Sequence, residues 1–396
     1  MKIIDQVDLD GKRTFIRVDF NVPLEDQGGA RRITDDSRIR GALPTIRHAI
    51  ERGARVVLAS HLGRPTGKVD PRESLAPAAK RLGELLGKPV ALAPDCVGAD
   101  AEKAVAALGR GDVLMLENLR FHGGEEKNDP TFAASLARLA DVYVNDAFGA
   151  AHRAHASTAG MAALVPVRTS GFLLRDELQH LGALLDSPAR PFVAILGGAK
   201  VSDKISVIDN LLPRVDALLI GGAMAYTFLR AQGSAIGGSR VEADKVDLAR
   251  TTLEQAQARG VRLLLPLDHE IATRPEAGAD CRTTSDAPIP DGWLGVDIGP
   301  KTRTSYAAEI AQARTVLWNG PMGIFEIEAY AAGTVAVAHA VANARQAFTV
   351  VGGGDSVAAV TQAGVADRIG HISTGGGASL EFLEGQTLPG VAALEG

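Results

Sequence analysis

The stretch FTVVGGGDSVAAVTQAGVADRIGHISTGGGASLEFLEG, residues 348–385, contains the same device twice in succession. Each copy is an apolar strand pattern (residues 348–351, then 371–373), three glycines, and a small or polar residue that opens a helical pattern. A strand that runs through glycine into a helix leaves backbone N–H groups unpaired at the positive end of the helix dipole, where no Cβ blocks an approaching phosphate. One GGG alone is as well explained by a tight βα turn. Two copies in register point to adjacent anion cradles.

The chain on either side follows the same plan. Residues 14–18, 55–59, 113–116 and 142–144 are short apolar runs, and residues 39–52, 75–86 and 101–108 between them carry helical spacing. That is a βαβ series, and so a parallel sheet. The alternation resumes near residue 191, with strand patterns at 192–196, 217–220, 262–265, 315–318, 348–351 and 371–373. Between the two series, residues 171–185 read as one amphipathic helix, stopped by Ser187-Pro188. The expectation is an α/β protein with two doubly wound, Rossmann-like parallel-sheet domains, residues 1–170 and 187–377, joined by a connector helix at 171–186.

Composition agrees with a globular protein of this size: 396 residues, 46% apolar and 22% charged, give ample chain for two cores. A net charge of −5 gives no reason to expect nucleic acid or an anionic membrane as partner, so any anion must be bound by local clusters. Cys96 and Cys281 are far apart and match no metal spacing, which reads as two reduced thiols. The start, MKIIDQVDLDGKR, has no apolar signal-peptide core, and no window approaches the roughly 18 apolar residues of a membrane span. The expected location is the cytoplasm.

In open parallel sheets ligands sit beyond the carboxyl ends of the strands, so function is written in the loops that follow them. In the first half those loops are DFN (19–21), SHLGRP (60–65), ENLRFH (117–122) and NDAFGAAHRAHAST (145–158). They bring Arg64, Arg120 and Arg153, and Arg38 opens the helical pattern after the first. Converging guanidinium forks would hold a small polyanion two oxygens at a time. His61, His152 and His155 include a zinc-like HxxH spacing, but no third ligand accompanies it, and hydrogen bonding to the anion fits better. In the second half the loops are GGAK (197–200), GGAM (221–224), NGPMG (319–323), GGGDS and TGGGAS, which are backbone cradles with few side chains.

The common nucleotide signatures are absent. No GxxxxGK[ST] occurs, the nearest string GRPTGKV (63–69) being one residue short, and no strand is followed by GxGxxG. That argues against a P-loop NTPase and a dinucleotide-dependent oxidoreductase. Lys200 and Lys204 are four apart in GGAKVSDKI, a spacing that places both on one face of a helix opened by the glycines. Asp355, directly after its triplet, is placed either to meet a magnesium ion carried by phosphates or to cap the helix.

Taken together, RVDFNVP (17–23), TDDSRIRGALPTI (34–46), SHLGRP, LENLRFH, NDAFGAAHRAHAST, LGGAKVSDKI (196–205), WNGPMGIFE (318–326), GGGDS and STGGGASLE resemble the phosphoglycerate kinase family, in the family's order from residue 3 to the end. The loop at 277–293 resembles it least. The resemblance implies ATP-dependent, reversible phosphorylation of the carboxylate of 3-phosphoglycerate to 1,3-bisphosphoglycerate, with Mg2+ carried by ATP or ADP, in a monomer. It implies that Asp19, Phe20, Asn21, Arg38, His61, Leu62, Gly63, Arg64, Arg120 and Arg153 bind the phosphoglycerate. Lys200, Lys204, Gly222, Gly320, Glu326, Gly353, Gly354, Asp355 and Ser356 would bind the nucleotide, with Glu326 on the ribose and Asp355 on the metal. Arg38, Lys200, Gly354 and Gly376 would lie nearest the phosphoryl group in transfer. It also implies that residues 378–396 cross back to the first domain, and that the domains close about the connector helix when both substrates are bound. A non-catalytic anion-binding protein on the same fold is the alternative, one that would have shed Arg38, Lys200 or Asp355, all of which are present.

Overall fold

The computed structural model describes residues 1–28 and 30–395. Contacts divide them into two compact units, Met1–Gln179 with the C-terminal stretch from Thr387, and His180–Gln386. The boundary falls inside one helix.

The first unit runs β1 (Arg13–Arg17), a hairpin β2 (Leu24–Gln27) and β3 (Ala30–Ile33), α1 (Ser37–Glu51), β4 (Arg55–Ala59), α2 (Ala76–Leu86), β5 (Ala91–Leu92), α3 (Ala99–Ala106), β6 (Val113–Met115), α4 (Pro130–Ala137), β7 (Val142–Asn145), β8 (Val167–Ser170) and into α5 (Phe172–Asp186). Six of these strands form one parallel sheet in the order β5-β6-β4-β1-β7-β8. Helices cover both faces, which is why the central strands are apolar on both sides instead of alternating. Phe15, Ile16, Val56, Leu58, Val142 and Val144 are fully buried. Helix starts are set by side chains where the sequence supplies them: Asp129 Oδ1 accepts the Phe132 N–H at 2.8 Å, with Pro130 at the first helical position of α4. Asp146, at the end of β7, accepts the Leu174 N–H in the first turn of α5 at 3.2 Å.

The second unit runs β9 (Phe192–Leu196), α6 (Ile205–Leu211), β10 (Ala217–Ile220), α7 (Met224–Ala231), α8 (Val246–Ala258), β11 (Arg262–Leu264), β12 (His269–Ala272), β13 (Cys281–Thr283), β14 (Leu294–Ile298), α9 (Pro300–Ala311), β15 (Thr315–Asn319), α10 (Ala332–Asn343), β16 (Phe348–Gly352), α11 (Gly354–Gln362), β17 (His371–Ile372) and α12 (Gly377–Leu383). Its parallel sheet has the order β11-β10-β9-β15-β16-β17, so the chain reverses direction of travel between β9 and β15. Trp318, Val193, Leu219 and Val351 anchor its core. α12 packs on α6 in this unit, and the last helix, α13 (Pro389–Ala392), packs in the first, where Gly390 O accepts the Asn145 side-chain amide at 3.0 Å.

Two parallel sheets flanked by helices are what the alternation predicts. β5, β8, the hairpin, and a small antiparallel sheet ordered β13-β12-β14 are additions to it. One local expectation is overturned: Lys200 and Lys204 do not share a helix face, because α6 begins only at Ile205. The Glu242 carboxylate accepts the N–H groups of Val201 and Ser202 and the Ser202 hydroxyl, and these bonds hold residues 201–204 as turns. Among the described residues no helix is long and apolar enough to cross a membrane.

Candidate functional site

In the first unit the loops beyond the carboxyl ends of β1, β4 and β6 are tied to one another. The Phe20 N–H donates to Ser60 Oγ at 2.8 Å, and Asn21 Oδ1 accepts the Gly63 N–H at 2.9 Å. Asn118 grips the second loop from the third, accepting the Leu62 N–H at 3.3 Å and donating to Leu62 O at 2.7 Å. Arg120, 7% exposed, donates from Nη1 to Gly63 O at 2.8 Å. Phe20 and Leu62 are therefore core residues that set the loops, with their N–H groups already taken.

The loops collect positive charge around neutral histidines. Arg38 reaches back from α1, with Nη1 2.8 Å from Asp19 Oδ2. Burial, followed by the charges of Arg17, Arg120 and Arg38 and by His155, holds His61 well below the ordinary histidine value. Burial and then Arg120, Arg17 and Arg153 hold His155 at about 4. Arg64 is exposed and Arg153 donates only to its neighbour His152, at 3.1 Å. A cluster of guanidinium groups beside histidines whose basicity is lowered suits an anion better than a metal cation. Among the described residues no third His, Cys, Asp or Glu joins His152 and His155 in a metal-ligating group. Elsewhere Asp95, Cys96 and His122 bring their ligand atoms within 4.8 Å of one another, but His122 Nε2 is already 2.7 Å from Asp95 Oδ1 and the thiol is buried.

In the second unit the reversal between β9 and β15 puts GGAK and NGPMG side by side, the place where an open sheet of this order binds its ligand. The loops interlock through backbone. Gly198 N–H donates to Pro321 O at 3.1 Å, Gly222 N–H to Met322 O at 2.9 Å, and Met224 N–H to Gly198 O at 3.0 Å. A Cβ on Gly222, whose φ is +65°, would stand 2.5 Å from Gly198 N. Gly320 N–H donates to the buried Ser356 Oγ at 2.6 Å. The N–H groups of Gly222 and Gly320 are thus spent on holding loops together, which was not legible in their sequence.

The two glycine triplets are more open than Gly222 and Gly320. α11 starts at Gly354 with no side-chain cap, and a Cβ on Gly354 or Gly376 would meet nothing within 4 Å. Gly353 is the N-cap position, so Asp355 is not a cap; its exposed carboxylate makes no hydrogen bond or ion pair. It lines a pocket of about 500 Å³ together with Gly198, Gly222, Tyr226, Ile324 and Glu326. Lys204 donates to Asn319 Oδ1, and burial lowers its ammonium to about 8. Lys200 is exposed, with no partner among the described residues. A larger groove of about 730 Å³ lies against α1 and α2, but its Arg40 and Arg81 are already paired with Asp36, so it offers fewer convergent free groups.

A family model described as Phosphoglycerate kinase matches residues 4–386. The chain belongs to the phosphoglycerate kinase family. A phosphoglycerate kinase of Anaeromyxobacter sp. (strain Fw109-5) is 61% identical over all of both chains. That of Moorella thermoacetica is 60% identical, covering 99% of this chain and 98% of its own. The solved phosphoglycerate kinase of Coxiella burnetii superposes with a TM-score of 0.89 at 42% identity, covering 99% of this chain and 98% of that one. The corresponding values for the Pyrococcus horikoshii OT3 structure are 0.86, 34%, 100% and 98%.

One residue that sequence reasoning passed over is a structural partner of these loops. Arg17, 1% exposed, donates to Ser157 Oγ at 2.8 Å, and Ser157 in turn donates to Glu125 Oε1 at 2.6 Å. The only sequence sign of Arg17 was its place at the head of RVDFNVP.

Proposed function

We propose that this kinase transfers the terminal phosphoryl group of ATP reversibly to the carboxylate of 3-phosphoglycerate, giving 1,3-bisphosphoglycerate and ADP. The first unit binds the phosphoglycerate through Arg38, Arg64, Arg120, Arg153, His61, Asp19 and Asn21. The second binds the nucleotide in the pocket of Gly222, Glu326 and Asp355, with its phosphates toward Lys200, Lys204 and the open amides at Gly353 and Gly354. The observation that carries this reading is the crowd of guanidinium groups around histidines held neutral. It supports a site for a substrate with two anionic groups, a phosphate and a carboxylate, and offers no poised general base.

None is needed. A carboxylate acceptor has a pKa near 4 and is already ionised at neutral pH, so catalysis reduces to positioning and charge cancellation. Arg38 has one guanidinium edge on Asp19 and the other unpaired, and Lys200 has no partner, so both are available to the charge that develops during transfer. Asp355 is a hard oxygen ligand with no competing bond, which suits a magnesium ion shared with nucleotide phosphates. Bound there, the ion would neutralise phosphate charge. We further read the enzyme as a cytoplasmic monomer acting on small molecules, with neither nucleic acid nor membrane as partner, supported by the net charge of −5. A coupled assay of phosphoglycerate-dependent ADP release tests the proposal: activity should require magnesium, and ADP release indifferent to phosphoglycerate would contradict it.

A further inference from the structure

We propose that Arg17 is a positioning residue that holds His61 as a neutral imidazole with its proton on Nε2, so that His61 presents one fixed hydrogen-bond donor to the phosphoglycerate. The second half rests on the reading that His61 faces that ligand.

Arg17 Nη2 lies 3.1 Å from His61 Nδ1. A guanidinium has donors and no acceptor, so Nδ1 must offer its lone pair and the ring proton must sit on Nε2. No protein group is bonded to Nε2, although the residue is only 7% exposed. The charged and titratable groups that face the ring are Arg17 from β1, Arg38 from α1, Arg120 from the loop after β6 and His155 from the loop after β7. The acids of the cluster are engaged elsewhere, Asp19 on Arg38 and Glu125 on Ser157, so a second proton on the ring would meet chiefly like charges and low-dielectric surroundings.

Arg17 is itself fixed, and this separates a built device from a chance contact. Its Nε donates to Ser157 Oγ at 2.8 Å and its Nη1 to Val18 O. The Ser157 hydroxyl, which accepts from Arg17, donates to Glu125 Oε1 at 2.6 Å, and Ser157 N–H donates to Glu125 Oε2 at 2.9 Å. Glu125 is fully buried, and burial pushes its carboxyl up while Arg17 and the two Ser157 hydrogen bonds oppose that shift, so it faces the buried guanidinium through Ser157. Each donor in the chain Glu125, Ser157, Arg17, His61 thus has one direction available to it. A tautomer change at His61 would leave an Arg17 proton facing an N–H, and a ring flip would leave it facing the Cδ2–H.

The consequence is a donor whose strength does not change with pH in the range where a free histidine titrates, about 6.5. Near pH 6 only the second ionisation of the substrate phosphate, pKa about 6, would remain to shape affinity in this corner of the site.

The test is long-range ¹H–¹⁵N correlation spectroscopy of the intact enzyme, with His61 assigned by its loss in His61→Gln, together with KM for phosphoglycerate. The wild type should show the Nε2–H tautomer unchanged from pH 5.5 to 8. Arg17→Gln is made in a Glu125→Gln background so that no buried charge is left alone, and its amide can pair with either tautomer. This double variant should show mixed tautomers and a KM raised about tenfold over Glu125→Gln alone, the effect of one hydrogen bond to a charged ligand. Arg17→Lys, which keeps a donor opposite Nδ1, should retain the tautomer. A proton on Nδ1, or an imidazolium at pH 7, in the wild type would overturn the proposal whether or not any variant folds. A KM rise with the tautomer unchanged in the double variant would overturn it in favour of a packing role. If the wild-type tautomer is as stated and His61→Gln leaves KM unaltered, the contact with the ligand is refuted, and the site reading with it, while the Arg17–His61 pairing stands.

Discussion

Arg38 and Asp19 meet through a single contact, Nη1 to Oδ2 at 2.8 Å, which fixes the guanidinium by one edge and leaves Nε and Nη2 without partners. Asp19 thereby aims a cation without neutralising all of its hydrogen-bonding capacity. If the free edge meets charge that appears only during transfer, Arg38→Ala should lower kcat by about 10²-fold or more. Steady-state kinetics in both substrates decide it. A large rise in KM for phosphoglycerate with kcat untouched would assign Arg38 to ground-state binding.

Among the described residues no hydrogen bond or ion pair reaches the Asp355 carboxylate, and Gly353, not Asp355, is the N-cap position of α11. Asp355→Asn should therefore leave the melting temperature nearly unchanged while weakening the magnesium–nucleotide complex. Calorimetric titration with nucleotide, with and without magnesium, and with phosphoglycerate measures this. Equal losses for both substrates would mean that Asp355 serves the fold.

Two glycines of the same unit should fail in opposite ways. Gly222 has φ of +65° and no room for a Cβ against Gly198, so Gly222→Ala should cost about 2–4 kcal/mol of stability. A Cβ at Gly354 meets nothing, so Gly354→Ala should shift stability by no more than about 0.5 kcal/mol but raise KM for ATP by obstructing the phosphates. Differential scanning calorimetry and nucleotide kinetics on both variants separate the cases. Similar stabilities would show that the loop interlock at Gly222 is loose.

Lys204 provides a pH signature. Burial, the largest influence, lowers its ammonium to about 8, with Asp203, Asp355 and Glu384 opposing that shift. The unfolded chain has a lysine near 10.4 and binds more protons between about pH 8 and 10.4, so this group makes stability rise with pH across that window. Phosphate arriving beside it pulls the value back up. Nucleotide binding should then take up about half a proton at pH 8 and nearly none at pH 6.5. Isothermal titration in buffers of different ionisation enthalpy reads the uptake, and Lys204→Met should abolish it. Equal uptake in the variant would place the titrating group elsewhere.

How much of this was legible in the sequence depended on range. The central strands, buried on both faces, announced themselves as apolar runs, and the loops after them carried the arginines and glycines of both candidate sites. β5 has two residues, β8 reads VRTS, and Cys281–Thr283 in β13 is exposed, so none carries an apolar run to find. Lys200 and Lys204 kept a helical spacing that Glu242, some forty residues later, overrules by taking the Val201 and Ser202 amides. Arg17 looked like a strand-end residue because its partners Ser157 and His61 lie 140 and 44 positions away. Loop glycines read as free cradles, and only the folded loops reveal that Gly222 and Gly320 give their N–H groups to Met322 O and Ser356 Oγ.

The central claim is that the acceptor is a carboxylate, activated by position alone. Its most direct test is to incubate the enzyme with ATP, magnesium and 3-phosphoglycerate in the presence of hydroxylamine, which traps acyl phosphates as hydroxamates, and to follow phosphorus species by ³¹P NMR. The account predicts hydroxamate formed one for one with ADP, and neither product when phosphoglycerate or magnesium is left out. A phosphorylated product stable to hydroxylamine, or ADP released without hydroxamate, would contradict it.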